Sequence, residues 1–175
     1  MNKRQKGITL VEVCVTLAVA TIVATGAAPS MQQLLDARRF DGIASQLASD
    51  LQFTRINAVA RNQSLRFSLP ADAAGSCYVI HTGSADACSC GASGPAACSA
   101  GASEIRTVRL PAADRVLVQA NVASILFDPV HGTSTPTGTL RVIGPNGREL
   151  RHVVNVMGRV RSCSPQGNVG GYRAC

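Results

Sequence analysis

Tryptophan is absent from the 175 residues, and four phenylalanines and two tyrosines make up the whole aromatic complement. An aromatic-walled ligand pocket is therefore not the expectation, and nucleic-acid bases would find little to stack on. Lysine stops at Lys6, so every cation after residue 7 is an arginine, a planar fork that suits phosphate better than a point charge. No Gly-x-Ser-x-Gly, His-Glu-x-x-His or phosphate-binding loop occurs, and His81, His131 and His152 are scattered, which argues against an enzyme. Cys-x-x-Cys is missing as well, the nearest feature being Cys88-Ser-Cys90, so neither a metal nor a cofactor is expected.

What is present begins with seven cysteines, a number that points to an oxidising compartment. Cys14 stands apart in an apolar run, and the other six allow fifteen pairings. Residues 83–103 carry no large apolar side chain and read as an inserted loop that cannot build a core. Cys77, Cys88, Cys90 and Cys98 are expected to staple it with two disulfides, pairing open. Cys163 and Cys175 would close a loop of about 13 residues at the C-terminus.

Apolar content is 46%, ample for a core, and its most concentrated stretch runs from Ile8 to Ala28. Those 21 residues hold a single charge, Glu12, and as a helix would measure about 31 Å, enough to cross a bilayer. Lys3, Arg4 and Lys6 precede the run and no cation follows until Arg38, which places the start in the cytoplasm and the remainder across the inner membrane. A carboxylate inside the apolar region argues against an ordinary secretory signal. It is costly in a membrane unless it finds a cation.

Gly7-Ile8-Thr9-Leu10-Val11-Glu12 after a short basic leader resembles the class III signal of type IV pilins and of type II secretion pseudopilins. The resemblance implies cleavage between Gly7 and Ile8 by a prepilin peptidase, which also methylates the new Ile8 amine. It makes Glu12 the fifth residue of the processed chain, paired with the amine of a neighbouring subunit, and Pro29 a helix-bending proline. The expected organisation is a leader at 1–7, a transmembrane and assembly helix at 8–29, an amphipathic helix at 30–62 and a β-rich head at 63–175.

Phe40, Ile43, Leu47 and Leu51 carry the helical period, widened by Ile56 and Val59, with Asp41, Gln46 and Asp50 assigned to the wet side. Arg61-Asn62-Gln63 is the expected stop, Asn62 taking the left-handed conformation. The period then changes to two, predicting strands at 64–69, 77–82, 105–110, 115–120, 125–127, 139–143 and 148–156. Gly144-Pro145-Asn146-Gly147 should turn a hairpin with Leu140, Val142, Leu150, Val154 and Val156 inward. The fold class is thus α+β, a long N-terminal helix packed on antiparallel sheet.

The segment Ser124-Ile125-Leu126-Phe127-Asp128-Pro129-Val130-His131-Gly132, the strand at 139–142 and Gly158-Arg159-Val160-Arg161 resemble the GspH/FimT family of minor pilins and pseudopilins. From residue 141 onward there are six arginines against Glu149 alone. Arg159 and Arg161, one residue apart, would share a face about 6.7 Å apart in extended chain, matching successive phosphates, with Gly158 allowing close approach. Gly158-Arg159-Val160-Arg161 is similar to the Gly-Arg-x-Arg element of DNA-binding FimT-type pilins. That likeness implies double-stranded DNA held by its phosphate backbone, with Arg148, Arg151 and Arg173 adding charge. Other pilin subunits, major and minor, are the implied partners, and a pilus fibre at the cell surface the implied destination. The alternative is a minor pseudopilin of type II secretion with no DNA role.

Overall fold

A threonine starts the first element: Thr9 Oγ1 accepts the backbone N–H of Glu12 at 3.3 Å, satisfying one of the free donors of a helix N-terminus. Helix α1 then runs from Leu10 to Ala60. The computed structural model describes residues 9–70, 75–91 and 94–175. They fall into two units, one up to Arg38 and the other Arg39–Cys175.

In the first unit α1 presents Leu10, Val11, Val15, Leu17, Ile22 and Val23 exposed, and this apolar stretch is long enough to cross a membrane. Its hydroxyls are satisfied internally: Thr16 donates to the Val13 carbonyl at 2.9 Å, Thr21 to Ala18 at 2.8 Å and Thr25 to Thr21 at 2.9 Å. A helix that closes its own polar groups is what an apolar surrounding requires.

In the second unit the rest of α1 lies on antiparallel sheet. The strands are β1 (Leu65–Ser68), β2 (Gly75–His81), β3 (Cys88–Ser89), β4 (Ala97–Cys98), β5 (Glu104–Pro111) and β6 (Leu117–Ala120), followed by β7 (Ser124–Phe127), β8 (Ser134–Thr135), β9 (Gly138–Ile143), β10 (Glu149–Val154) and β11 (Val160–Cys163). Five form a sheet in the order β5-β2-β1-β7-β8, four a second in the order β11-β10-β9-β6, and β3 and β4 a ribbon. All seven predicted strands are present. The sequence reading missed β3, β4 and β8, which at two residues are too short to display a period, and also missed β11.

Phe40, Ala44, Leu47, Leu51 and Ala58 of α1 meet Leu65, Phe67, Tyr78, Ile80, Ile125, Phe127, Leu140, Val142, Leu150 and Val154 in one core. Asn62 ends the helix with φ +47°, as expected. Three sequence assignments are overturned. Ile56 and Val59 are exposed rather than buried, Val156 points outward from a turn beyond β10, and Asp50 is buried at 2% exposure instead of facing water. The buried stripe is rotated toward Asp50, Thr54 and Ala58 because partners distant in sequence receive the carboxylate. Tyr78 Oη donates to Asp50 Oδ2 at 2.8 Å, and the Arg106 guanidinium pairs with Oδ1 while lying 4.8 Å from the Phe53 ring centroid. Burial, and then the bond to Asp50, raise the Tyr78 phenol strongly.

The inserted loop is stapled by two disulfides, as expected. Cys77 is joined to Cys90 and Cys88 to Cys98, and Cys77, Val79 and Cys88 form a second small core on the outer face of β2, against which Cys90, Ala96, Cys98 and Ala102 pack. Sulfur supplies the apolar mass that the residue composition lacks. Replacing Cys88 and Cys98 together by alanine is expected to leave the main core folded but expose residues 83–103 to proteases. Limited proteolysis mapped by mass spectrometry checks this: cleavage should concentrate in that loop, and an unchanged pattern contradicts the assignment.

His81 and His152 are fully buried. His81 Nε2 is 2.8 Å from Ser68 Oγ, and its Nδ1 donates to the Thr82 carbonyl at 2.9 Å. His152 Nδ1 is 2.8 Å from Ser162 Oγ, and burial pushes its pKa down to about 4. A base depressed in the folded state stays neutral while the unfolded chain takes up a proton. Its contribution is whole above the ordinary histidine value near 6.5 and is lost as pH falls toward 4. Chemical denaturation at pH 7 and pH 4.5 should show a fall in stability that His152→Gln reduces; an equal fall in both proteins would contradict this.

Candidate nucleic-acid interface

Beyond β10 the chain turns through Asn155–Gly158 and enters β11. The Gly158 N–H donates to the Asn155 carbonyl at 2.8 Å, the Arg159 N–H to Asn155 Oδ1 at 2.9 Å, and the Asn155 N–H to the Arg159 carbonyl at 3.1 Å. From the side, Ser134 donates its hydroxyl to the Asn155 carbonyl at 2.7 Å and its N–H to the Val156 carbonyl at 2.9 Å. A side-chain amide and a neighbouring strand thus hold the turn that presents Arg159.

Gly158 is required there for two reasons. Its φ of +67° is left-handed, and a Cβ would collide with the Gly132 carbonyl oxygen and stand 2.9 Å from Arg55 Cδ. Arg55 Nε donates to that same oxygen at 2.9 Å. Helix α1, the turn before β8 and the turn before β11 therefore meet at one point. They border a groove of about 370 Å³ lined by Gln52, Arg55 and Ile56 on one side and Gly158, Arg159, Val160 and Arg161 on the other. Arg159 and Arg161 are exposed, and among the described residues no carboxylate lines the groove. Asp128, in the nearby turn, accepts the N–H groups of His131 and Val130 at 2.8 and 3.0 Å. The bond from His131 is the main cause holding its carboxyl below the usual range.

The other predicted arginines lie elsewhere. Arg151 sits on the outer face of β10, opposite Arg141 of β9. Both bond Glu149: Arg141 in bidentate fashion at 2.8 and 3.1 Å, Arg151 at 2.8 Å. Arg141 first and Arg151 second hold the Glu149 carboxyl down to about 2, so a single acid answers both cations. Arg148 follows the turn between β9 and β10, at the end of β10 remote from Gly158. Arg173 is exposed in the C-terminal tail, its carbonyl accepting the Ser164 N–H at 2.8 Å. The tail is fastened by Cys163–Cys175, by Val169 in the core and by Asn168 Nδ2 donating to the Gly147 carbonyl at 3.1 Å. The fold thus gathers Gly158, Arg159 and Arg161, leaves Arg151 mid-strand, and sets Arg148 apart. Sequence reasoning missed Arg55; its only signal was its spacing of four from Leu51 and three from Ala58, at the margin of the buried stripe.

Gly7 and Ile8 lie outside the described residues. Glu12 is exposed in the first turn of α1, and Pro29 falls within α1, its side chain outside the described set. Cys14 is a free, exposed cysteine of the same helix.

A family model for the type II transport protein GspH matches residues 44–158, and one for the prokaryotic N-terminal methylation motif matches residues 2–28. Two crystal structures of the Pseudomonas aeruginosa (strain PAO1) type IV minor pilin FimU share the fold. In one, identity is 17% with a TM-score of 0.55 over 73% of this chain and 92% of that one. In the other crystal form identity is 19% and the TM-score 0.51, over 72% and 97%. No curated protein matches the chain. The GspH match takes in well over half of the residues, from the buried part of α1 to Gly158. An apolar helix under a methylation motif, joined to a head with the minor-pilin fold, completes the pattern, and the chain belongs to the GspH family of pilin-like proteins.

Proposed function

We propose that this chain is a minor pilin that enters a type IV pilus and captures extracellular double-stranded DNA, without regard to sequence, for uptake in natural transformation. In this reading a prepilin peptidase cuts between Gly7 and Ile8 and methylates Ile8. The subunit waits in the inner membrane with its N-terminus cytoplasmic and its head periplasmic. Glu12 then pairs with a neighbouring pilin during assembly. The observation that carries the DNA role is the acid-free groove at which Arg55, Arg159 and Arg161 converge on a glycine-tight turn. Preorganised cations on one rigid point suit a phosphate backbone and need no base reading.

The test is duplex binding by the full-length protein in detergent across a salt series. Affinity should fall steeply with salt, and Arg159→Ala with Arg161→Ala should lower the slope of log K against log salt by about 2, roughly one per phosphate contact. Absence of binding at low salt, or an unchanged slope in the double variant, removes the DNA role. The GspH match favours a second reading, a type II secretion pseudopilin whose partners are other pseudopilins. Deleting the gene separates the two: loss of transformation supports the first, and loss of protein secretion with transformation intact supports the second.

A further inference from the structure

The turn that presents Arg159 carries two apolar residues at its tip. Val156 and Met157 are the central residues of the turn closed by the Gly158-to-Asn155 bond, and they are 57% and 52% exposed. Nothing about the turn is loose: Ser134, Asn155 and the Gly158 contact hold its backbone from three sides. The rigid β-turn thus holds a valine and a methionine side by side in water, directly followed by Arg159-Val160-Arg161.

We propose that Val156 and Met157 form an apolar wedge that enters the minor groove of duplex DNA and partly unstacks a base step, while Arg159 and Arg161 hold the adjacent phosphates. The inference rests on the DNA-binding reading above and specifies how that same site engages its ligand. Its chemistry follows from what the tip offers. Asn155 Oδ1 is taken up by the Arg159 N–H, and at the tip itself Val156 and Met157 carry no N–H or O–H donor with which to read the major-groove pattern. Apolar side chains flanked by arginine suit the narrower groove, where the negative potential attracts the cations and a wedge gains contact area by kinking the duplex. The charge of Asp128 in the neighbouring turn is partly answered by the N–H groups of Val130 and His131. Flexible pyrimidine–purine steps should bend most readily, a matter of duplex deformability that requires no base reading.

The test uses the full-length protein in detergent with a duplex of about 25 base pairs carrying donor and acceptor dyes at its ends. Binding should raise energy transfer, reporting a bend within the range of about 20 to 90° produced by side-chain wedges. Netropsin, which occupies the minor groove, should compete. Val156→Ser with Met157→Ser should abolish the bend and weaken binding about tenfold, while leaving the salt slope unchanged because the phosphate contacts remain. Both side chains are exposed, so thermal unfolding of this variant should match the parent. Arg159→Ala with Arg161→Ala should instead lower the slope. Binding without bending, indifference to netropsin, or a serine variant that bends DNA like the parent overturns the wedge and leaves the phosphate contact standing. A serine variant that bends DNA normally but no longer enters filaments identifies the tip as a subunit contact and likewise refutes it. If the parent binds no duplex at low salt, the underlying reading fails first and the wedge with it.

Discussion

Asp50→Ala is expected to destabilise the protein by about 3 kcal/mol, measured by chemical denaturation followed through the loss of β-sheet signal. The carboxylate is 2% exposed and accepts from Tyr78 Oη on one oxygen and Arg106 on the other. Removing it leaves the buried phenol without an acceptor and adds a cavity between α1 and β2. The stranded guanidinium costs less than a buried charge would, because the Arg106 side chain is 44% exposed and keeps its contact with Phe53. Asp50→Asn retains an acceptor for Tyr78 and should cost about half as much, and Tyr78→Phe about 1 kcal/mol. Equal losses for alanine and asparagine would show that the charge dominates; no loss for either would mean that the cluster contributes nothing to stability.

Gly158→Ala should cost about 2 to 4 kcal/mol and should also weaken DNA binding, although it touches no charge. Part of the cost is the left-handed backbone, about 1 to 2 kcal/mol for a residue with a Cβ. The remainder is steric, because the new atom meets a backbone oxygen that Arg55 holds in place. Gly132→Ala is the control. It too has positive φ, at +62°, but its Cβ would meet only side-chain atoms of Arg55 and Val59 at 3.2 Å, which can yield. The larger effect should therefore fall on position 158. Swinging the turn away from Arg55 separates the cations of the groove, so the salt slope should drop even with both arginines present. A Gly158→Ala protein with parental stability and parental slope would show that the backbone at 158 does not position the cations.

How much of this was readable beforehand differs by element. The apolar run from Ile8 and the carboxylate within it are properties of local composition, legible because insertion into a membrane depends on the hydropathy of one continuous segment. The hairpin of β9 and β10 was legible for a related reason: its alternation is local, and Gly144 to Gly147 can do little but turn. Asp50 was misread because hydropathy ranks a carboxylate by its own solvation, whereas its true environment is supplied by Arg106 and Tyr78 from two other strands. Ile56 and Val59 failed for the complementary reason. Apolar spacing admits them to the stripe, but the rotation of α1 on the sheet leaves them outside it.

By itself, then, the sequence determined the anchor helix, the class of fold, the family likeness and the presence of two arginines one residue apart, all carried by short-range order along the chain. Tertiary structure alone decided which cysteines join, which arginines share a surface and which are already answered by Glu149. It also decided that Arg55, some hundred residues upstream, stands beside Arg159. The physical reason is that hydropathy and turn chemistry act between neighbours in sequence, while charge and steric fit act through space between residues that only the completed fold brings into contact.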